Sequence, residues 1–246
     1  SSTGQLWGTP TYFWSKHKKT NFDWWRKRFK RQFALVDLLR LDHFRGLAGY
    51  WRVNGNSQTA ISGKWINSPG RTLLNKVKND LEVEHLPIIA EDLGVITPDV
   101  EKLRESFELP GMKILQFAFD GKEDNPYLPK NIKGENWVVY TGTHDNSTSK
   151  SWWECLDSDS KSRIRNEFDF SDKPSWNLIE IGMNTNANLF IVPIQDILSL
   201  DDTCRLNTPG TIKNNWKWKL NQPLEEIEEN MRIFSKLGHD SGRIWN

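Results

Sequence analysis

The sequence predicts an α/β fold built on a parallel sheet, and three stretches carry that prediction. The run Leu35-Val36-Asp37-Leu38-Leu39 leads into Arg40-Leu41-Asp42-His43-Phe44-Arg45-Gly46. Leu86-Pro87-Ile88-Ile89-Ala90 leads into Glu91-Asp92-Leu93-Gly94, and Trp137-Val138-Val139-Tyr140 into Thr141-Gly142-Thr143-His144-Asp145-Asn146. Short apolar runs of this length read as buried strands. A charged group placed directly after such a run belongs in a cleft, because burying it without partners is costly. Three strands that each deliver a carboxylate at their carboxyl end match the way parallel β/α enzymes place their chemistry.

Taken in order, residues 1–14 read as loop, with Gly4, Gly8 and Pro10 among Gln5, Trp7, Tyr12, Phe13 and Trp14. Asn21 is the expected cap of a helix with Phe22, Trp25, Phe29 and Phe33 on one face and Lys27, Arg28, Lys30 and Arg31 on another. The basic cluster reads as a solvated helix face. After the strand that ends at Asp42, residues 46–69 read as a long Gly/Asn/Ser-rich loop carrying Tyr50, Trp51 and Trp65. Leu73, Leu74, Val77 and Leu81 then mark a helix. Beyond the Glu91 strand, Thr97-Pro98-Asp99 reads as N-cap, first-turn proline and dipole-matched acid of a helix reaching about Phe107. Met112–Phe117 and Trp137–Tyr140 are the next strands, and helices are expected over 152–168 and 175–186. Leu189–Ile194 is the last strand. Pro223 opens a final helix with Leu224, Ile227, Met231 and Phe234 inward and Gly238 past its stop. Strands separated by helices predict right-handed parallel crossovers. They fit either an open doubly wound sheet or the later part of an eight-stranded barrel, and the loop-like beginning leans toward the barrel.

Charge and composition exclude several classes. Lys+Arg 33 against Asp+Glu 32 leaves a net charge of +1, so no general attraction to nucleic acid or membrane is expected. No apolar run approaches a membrane span, and the opening Ser1-Ser2-Thr3-Gly4 resembles no targeting peptide. Cys155 and Cys204 read as reduced thiols without metal-ligand spacing. The expectation is therefore a soluble, intracellular protein. Its 13 Trp are the unusual count, and indole faces suit ligands with apolar faces such as sugar rings.

Strand-end carboxylates without a Cys/His cluster suggest proton transfer, nucleophilic attack or charge stabilisation rather than zinc chemistry. Retaining glycosyl transfer needs a nucleophilic carboxylate and a carboxylic acid about 5–5.5 Å apart, which neighbouring strand ends can supply. Arg40 and Arg45 flank Asp42 as partners for an ionised carboxylate, Glu91 is placed to be the acid, and His144 with Asp145 could hold sugar hydroxyls. Each residue also has a plain structural reading. Asp42 could be a salt-bridge partner, Glu91 and Asp92 could close the following turn, and His144-Asp145-Asn146 could be turn chemistry. Trp7, Trp51 and Trp65 could simply pack. Asn146-Ser147-Thr148 also matches a glycosylation sequon, which sits poorly beside a cleft. The coincidence of three acidic strand ends favours the catalytic reading.

At these residues the chain resembles the 4-α-glucanotransferase (amylomaltase, disproportionating enzyme) family of the α-amylase clan. The similarity runs through Gly4–Gly8, Arg40–Gly46, Ala90–Thr97, Pro110–Met112, Leu115–Phe119, Thr141–Asn146, Pro193–Asp196 and Arg205–Gly210. It implies a (β/α)8 TIM barrel of which this chain covers about the last five β/α units, residues 1–246 being the later portion of the catalytic domain. It also implies Asp42 as nucleophile, Glu91 as acid and base, and Asp145 as transition-state stabiliser, with no metal and no organic cofactor. Arg40, His144, Trp7, Gln5 and Asn207 match substrate-binding positions. The implied substrates are maltooligosaccharides with glucose or another glucan as acceptor, in the cytoplasm or in a plastid stroma. Thr9 and Ser147 depart from the family pattern, which touches subsite detail rather than the reaction. The implied partner is an upstream segment holding the first strands and inserted subdomains, so the chain alone is expected to be inactive and poorly soluble, with two exposed sheet edges. A hydrolase with the same acids and a non-catalytic glucan-binding module are the competing readings, and the latter has no need of all three acids.

Overall fold

The computed structural model describes residues 2–6, 8–94 and 96–243, and the chain divides into two compact units, Ser1–Met112 and Lys113–Asn246. In the first unit, α1 (Trp14–Lys19) and α2 (Asp23–Phe33) precede β1 (Leu39–Leu41), α3 (Arg45–Ala48), β2 (Gly49–Val53), β3 (Gly63–Asn67), α4 (Gly70–Leu81), β4 (Ile88–Ala90) and α5 (Pro98–Glu105). The strand β5 (Gly111–Ile114) begins here and runs on into the second unit.

The aromatic face expected of α2 forms: Trp25 and Phe29 are buried with Phe22 against Leu73, Leu74 and Val77 of α4. Arg26 and Asp80 add an ion pair between the same two helices. Asn21 is not the cap. Phe22 holds that place in the left-handed region at φ 57°, and no side chain bonds the helix start. Burial of the Phe22 ring offsets the cost of that conformation for a residue with a Cβ.

The first strand is shorter than its apolar run. Leu35, Val36 and Leu38 are exposed, and strand pairing begins only at Leu39. The end of α2 captures the preceding residues, since the Leu35 and Val36 amides both donate to the Gln32 carbonyl (2.8 and 3.1 Å). β1 and β4 pair in parallel, Leu39 opposite Ile88, Arg40 opposite Ile89 and Leu41 opposite Ala90.

Residues 46–69, expected as loop, instead contain α3 and an antiparallel hairpin with Trp51 opposite Trp65. Its glycine at position 63 has a packing reason: a Cβ there would lie 2.6 Å from the Trp51 indole. Alternation was concealed because this hairpin leaves both Trp51 and Trp65 exposed, so no buried face marks the period. Thr97 does precede α5, yet its hydroxyl donates to Asp99 (2.5 Å) rather than capping the helix amides.

The second unit contains β6 (Trp137–Tyr140), α6 (Ser149–Cys155), α7 (Ser158–Phe168), α8 (Pro174–Met183), β7 (Leu189–Ile191), α9 (Ile194–Ile197) and α10 (Leu224–Asp240). Its sheet has the order β5-β6-β7, with β6 and β7 parallel and Val139 opposite Phe190. Phe119, Val139, Trp153, Ile164, Phe170 and Leu178 form the main core.

One helix expected over 152–168 is two. The first ends at Cys155, and Asp157 caps the second by accepting the Ser160 amide (2.8 Å), a role its short carboxylate suits. The expected Met112–Phe117 and Leu189–Ile194 strands are each cut short by a tight turn, a 3-10 turn over Leu115–Phe117 and α9 after Pro193. Gly238 does not stop the final helix but lies buried inside α10. Gly182 of α8 is a site of close approach, where a Cβ would fall 2.1 Å from the Phe190 ring of β7. Among the described residues no helix is long and apolar enough to cross a membrane.

Candidate active site

The three acids divide between the units. Asp42 and Glu91 lie in the first, and Asp145 in the second. In the first unit the parallel register aligns Leu41 with Ala90, so the next residues, Asp42 and Glu91, leave neighbouring strands at the same level. The ladder continues one step further, since the Glu91 amide donates to the Leu41 carbonyl (3.0 Å) and the Phe44 amide to the Glu91 carbonyl (3.0 Å).

His43 sits at φ 48°, a conformation uncommon for a residue with a side chain. That turn aims the His43 amide at the Glu91 carboxylate, donating to Oε2 at 2.6 Å, while the Leu93 amide donates to Oε1 at 3.0 Å. Backbone groups therefore hold both Glu91 oxygens. Asp42 receives Arg40 Nη2 at 2.5 Å, and its side chain is 77% exposed. Arg40 reaches it because residues two apart share a face of the strand. Arg45, expected as a second partner for Asp42, turns instead to the Thr97 hydroxyl and lies 4.3 Å from the Trp65 ring centre.

The Glu91-Asp92 pair separates into two functions. Asp92 is buried, accepts the Met112 amide (2.7 Å) and pairs with Arg104 (3.3 Å), so it ties the end of β4 to the start of β5. Glu91 closes the following turn as well, as its plain reading anticipated, but does so beside the Asp42 strand end. Gln5 is exposed in a segment anchored to the hairpin by the Ala60 amide on the Thr3 carbonyl (2.9 Å). Trp7 lies outside the described residues.

In the second unit, Asp145 sits on the loop between β6 and α6. The turn chemistry belongs to its neighbour: Asn146 Oδ1 accepts both the amide and the hydroxyl of Thr143 (2.9 and 2.8 Å). The Asp145 carboxylate accepts Asn207 Nδ2 at 2.6 Å, and His144 Nε2 lies 3.4 Å from its other oxygen. Arg205 fastens the two segments together, donating to the Asp145 carbonyl (2.6 Å), the Asn207 carbonyl (2.8 Å) and the Ser147 hydroxyl (3.3 Å). The His144 ring is 5.1 Å from that of Trp216. A pocket of about 70 Å³ opens beside the loop, lined by Gly142, His144, Ser147, Gln195, Asp196 and Arg205 among others.

Asp196 is the buried acid of this unit. Burial pushes its carboxyl above the usual carboxylate range, while donors from Thr141 and Ser149 pull it back. Arg205, Asp196 and Trp216 were not among the residues that spacing singled out. They lie 47 or more positions from the loop they hold or face, and only their place in the resembling runs Pro193–Asp196 and Arg205–Gly210 drew notice to the first two. Among the described residues no group of three or more His, Cys, Asp or Glu side chains could hold a metal ion.

Residues 1–225 match the model of the family described as 4-alpha-glucanotransferase. The chain belongs to that family. Among its relatives, the 4-alpha-glucanotransferase of Synechocystis sp. is 46% identical over 221 residues, 89% of this chain and 44% of that protein. The chloroplastic/amyloplastic 4-alpha-glucanotransferase of Solanum tuberosum is 45% identical over 222 residues, 89% of this chain and 38% of that protein. The structure of the amylomaltase from Streptococcus agalactiae in complex with acarbose superposes with a TM-score of 0.90 at 34% identity, covering 98% of this chain and 48% of that one. The chain thus spans less than half the length of these 4-alpha-glucanotransferases, and the likeness supports an α/β fold over nearly all of it.

Proposed function

We propose that these residues serve a retaining 4-α-glucanotransferase that moves α-1,4-glucan segments from maltooligosaccharides to the 4-hydroxyl of glucose or another glucan. The observation that carries this reading is the placement of Asp42 and Glu91 one residue past an aligned pair on neighbouring parallel strands. Such strands lie about 4.8 Å apart. Carboxyls that leave neighbouring strands at one level can meet the ~5–5.5 Å separation of retaining enzymes.

In this reading Asp42 attacks the anomeric carbon and carries the glucosyl intermediate, with Arg40 holding the nucleophile in position. Glu91 protonates the leaving oxygen and then takes the proton of the acceptor hydroxyl, its carboxylate kept in place by the His43 and Leu93 amides. Asp145 stabilises the positive charge that develops on the sugar, with His144 and Asn207 orienting it and with Gln5 and Trp7 as further sugar contacts. Acarbose is proposed to bind the same residues. Residues 1–246 would form the later portion of a (β/α)8 barrel. Supporting that, the family relatives are more than twice as long. Bacterial cytoplasm or plastid stroma is the proposed compartment.

The test is Glu91→Gln in the protein expressed with its natural flanking sequence. Wild type incubated with maltotriose should yield glucose and longer oligosaccharides, and the variant should lose turnover by several orders of magnitude, a ΔΔG‡ of roughly 4–7 kcal/mol. Undiminished transfer by the variant would overturn the assignment. Maltose and glucose as the only products would indicate hydrolysis instead.

A further inference from the structure

We propose that Asp196 is a positioning residue that sets the loop bearing His144 and Asp145 by holding both of its ends with one carboxylate. Thr141, the first residue after β6, donates its hydroxyl to Asp196 Oδ2 at 2.5 Å. Ser149, the first residue of α6, donates its amide to Oδ1 and its hydroxyl to Oδ2, both at 2.7 Å. Everything between those two anchors is the loop itself. Asp196 is only 1% exposed, so it acts on a sugar through the loop and not by contact.

A carboxylate suits this place because three donors converge there. Two acceptor oxygens can serve an amide and two hydroxyls at once, whereas an apolar side chain would strand all three. The rest of the loop is pressed against fixed partners that assume these end points. Gln116 Nε2 donates to the Ser147 carbonyl (2.9 Å), and the Thr148 amide donates to Asp202 (2.8 Å). At Gly142 a Cβ would lie 2.7 Å from Gln116 Nε2, so the backbone can approach only without a side chain. With its ends released, the loop would lose the register that sets Asp145 against Asn207.

The catalytic part of this inference rests on the glucan-transfer reading, and the two can fail separately. Asp196→Ala and Asp196→Asn are compared in the protein with its natural flanking sequence, by maltotriose disproportionation and by amide hydrogen exchange. For Asp196→Ala the expectation is a fall in kcat of about 100-fold, the scale of a misplaced catalytic group. KM should stay near the wild-type value, and exchange should quicken over residues 141–149 without spreading through the unit. The asparagine should restore most of the loss, because its oxygen can take the Ser149 amide while its NH2 donates to the two hydroxyls once they rotate.

Wild-type kcat in Asp196→Ala, equal losses in both variants, or exchange accelerated across the whole unit would each overturn the proposal. If Asp196→Ala does not fold, Thr141→Val must show the same local exchange and kcat pattern at smaller amplitude, and its absence would overturn the proposal. Should the wild type transfer no glucan, the function fails while the exchange data still decide the clamp. Quickening confined to 141–149 supports it, and unchanged exchange overturns it.

Discussion

Glu91 and Asp145 reach their positions by different physics. Glu91 follows a strand directly, and its carboxylate is fixed by the amides of His43 and Leu93, so main-chain geometry does the positioning. Asp145 stands in the middle of a loop, and side chains far away in sequence position it: Asn207 on the carboxylate, Arg205 on the carbonyl and Asp196 at the loop ends. A site fixed by backbone tolerates change in its neighbours as long as the strands pair. One fixed by side chains is only as rigid as each remote contact. The second unit should therefore be the one where substitutions that never meet a sugar alter turnover.

The largest effect that would sharpen this contrast is on stability. Asp92→Ala removes one partner of a buried pair in the first unit, along with the acceptor of the Met112 amide, and leaves Arg104 to the Leu109 carbonyl and Glu105. Unfolding should be easier by about 3–5 kcal/mol, measured by denaturant titration; a loss below 1 kcal/mol would mean that the pair is solvated and that the strand ladder alone holds Glu91.

Next in size is Asn207→Ala. Removing one hydrogen bond to a charged carboxylate should lower kcat for transfer by about 10–100-fold, following the ~1.5–3 kcal/mol such bonds contribute. Steady-state kinetics would show it, with thermal stability close to wild type because Asn207 lies near the surface. An unaffected kcat would break the claim that side chains set Asp145.

The smallest effect concerns the ion pair between α2 and α4. The hydrogen bond from Arg26 holds Asp80 below the usual carboxylate range. A carboxyl lowered in this way contributes stability at neutral pH, and that contribution disappears as pH falls through its folded value. Asp80→Asn should thus lower the stability slightly at pH 7, by the ~0.2–1 kcal/mol typical of exposed pairs, read as a small drop in melting temperature. The difference from wild type should shrink as pH falls below the usual carboxylate range. A difference that grows on acidification would reverse the sign and remove Asp80 as its source.

Several elements were legible before any coordinates. The Trp137–Tyr140 strand, the Leu73/Leu74/Val77 helix face and the placement of Asp42 and Glu91 at strand ends all stand as the apolar pattern indicated. These features depend on near neighbours in sequence, where periodicity speaks directly. The Trp51/Trp65 hairpin escaped because neither of its faces is buried enough to print an alternating pattern. The exposed Leu35 and Val36 misled for the opposite reason, since apolar character there does not lead to burial.

The sequence by itself determined which residues are acids at strand ends, which faces of the helices are apolar and, through its runs of familiar motifs, the family. Only tertiary structure decided that Asp92 is structural while Glu91 faces Asp42's strand end, that Arg45 turns to Trp65, and that Asn207, Arg205 and Asp196 surround the Asp145 loop. The reason is range. Strand and helix propensities act over a few residues, but a hydrogen bond between positions 145 and 207 exists only after the intervening chain has folded back, and no local pattern encodes that return.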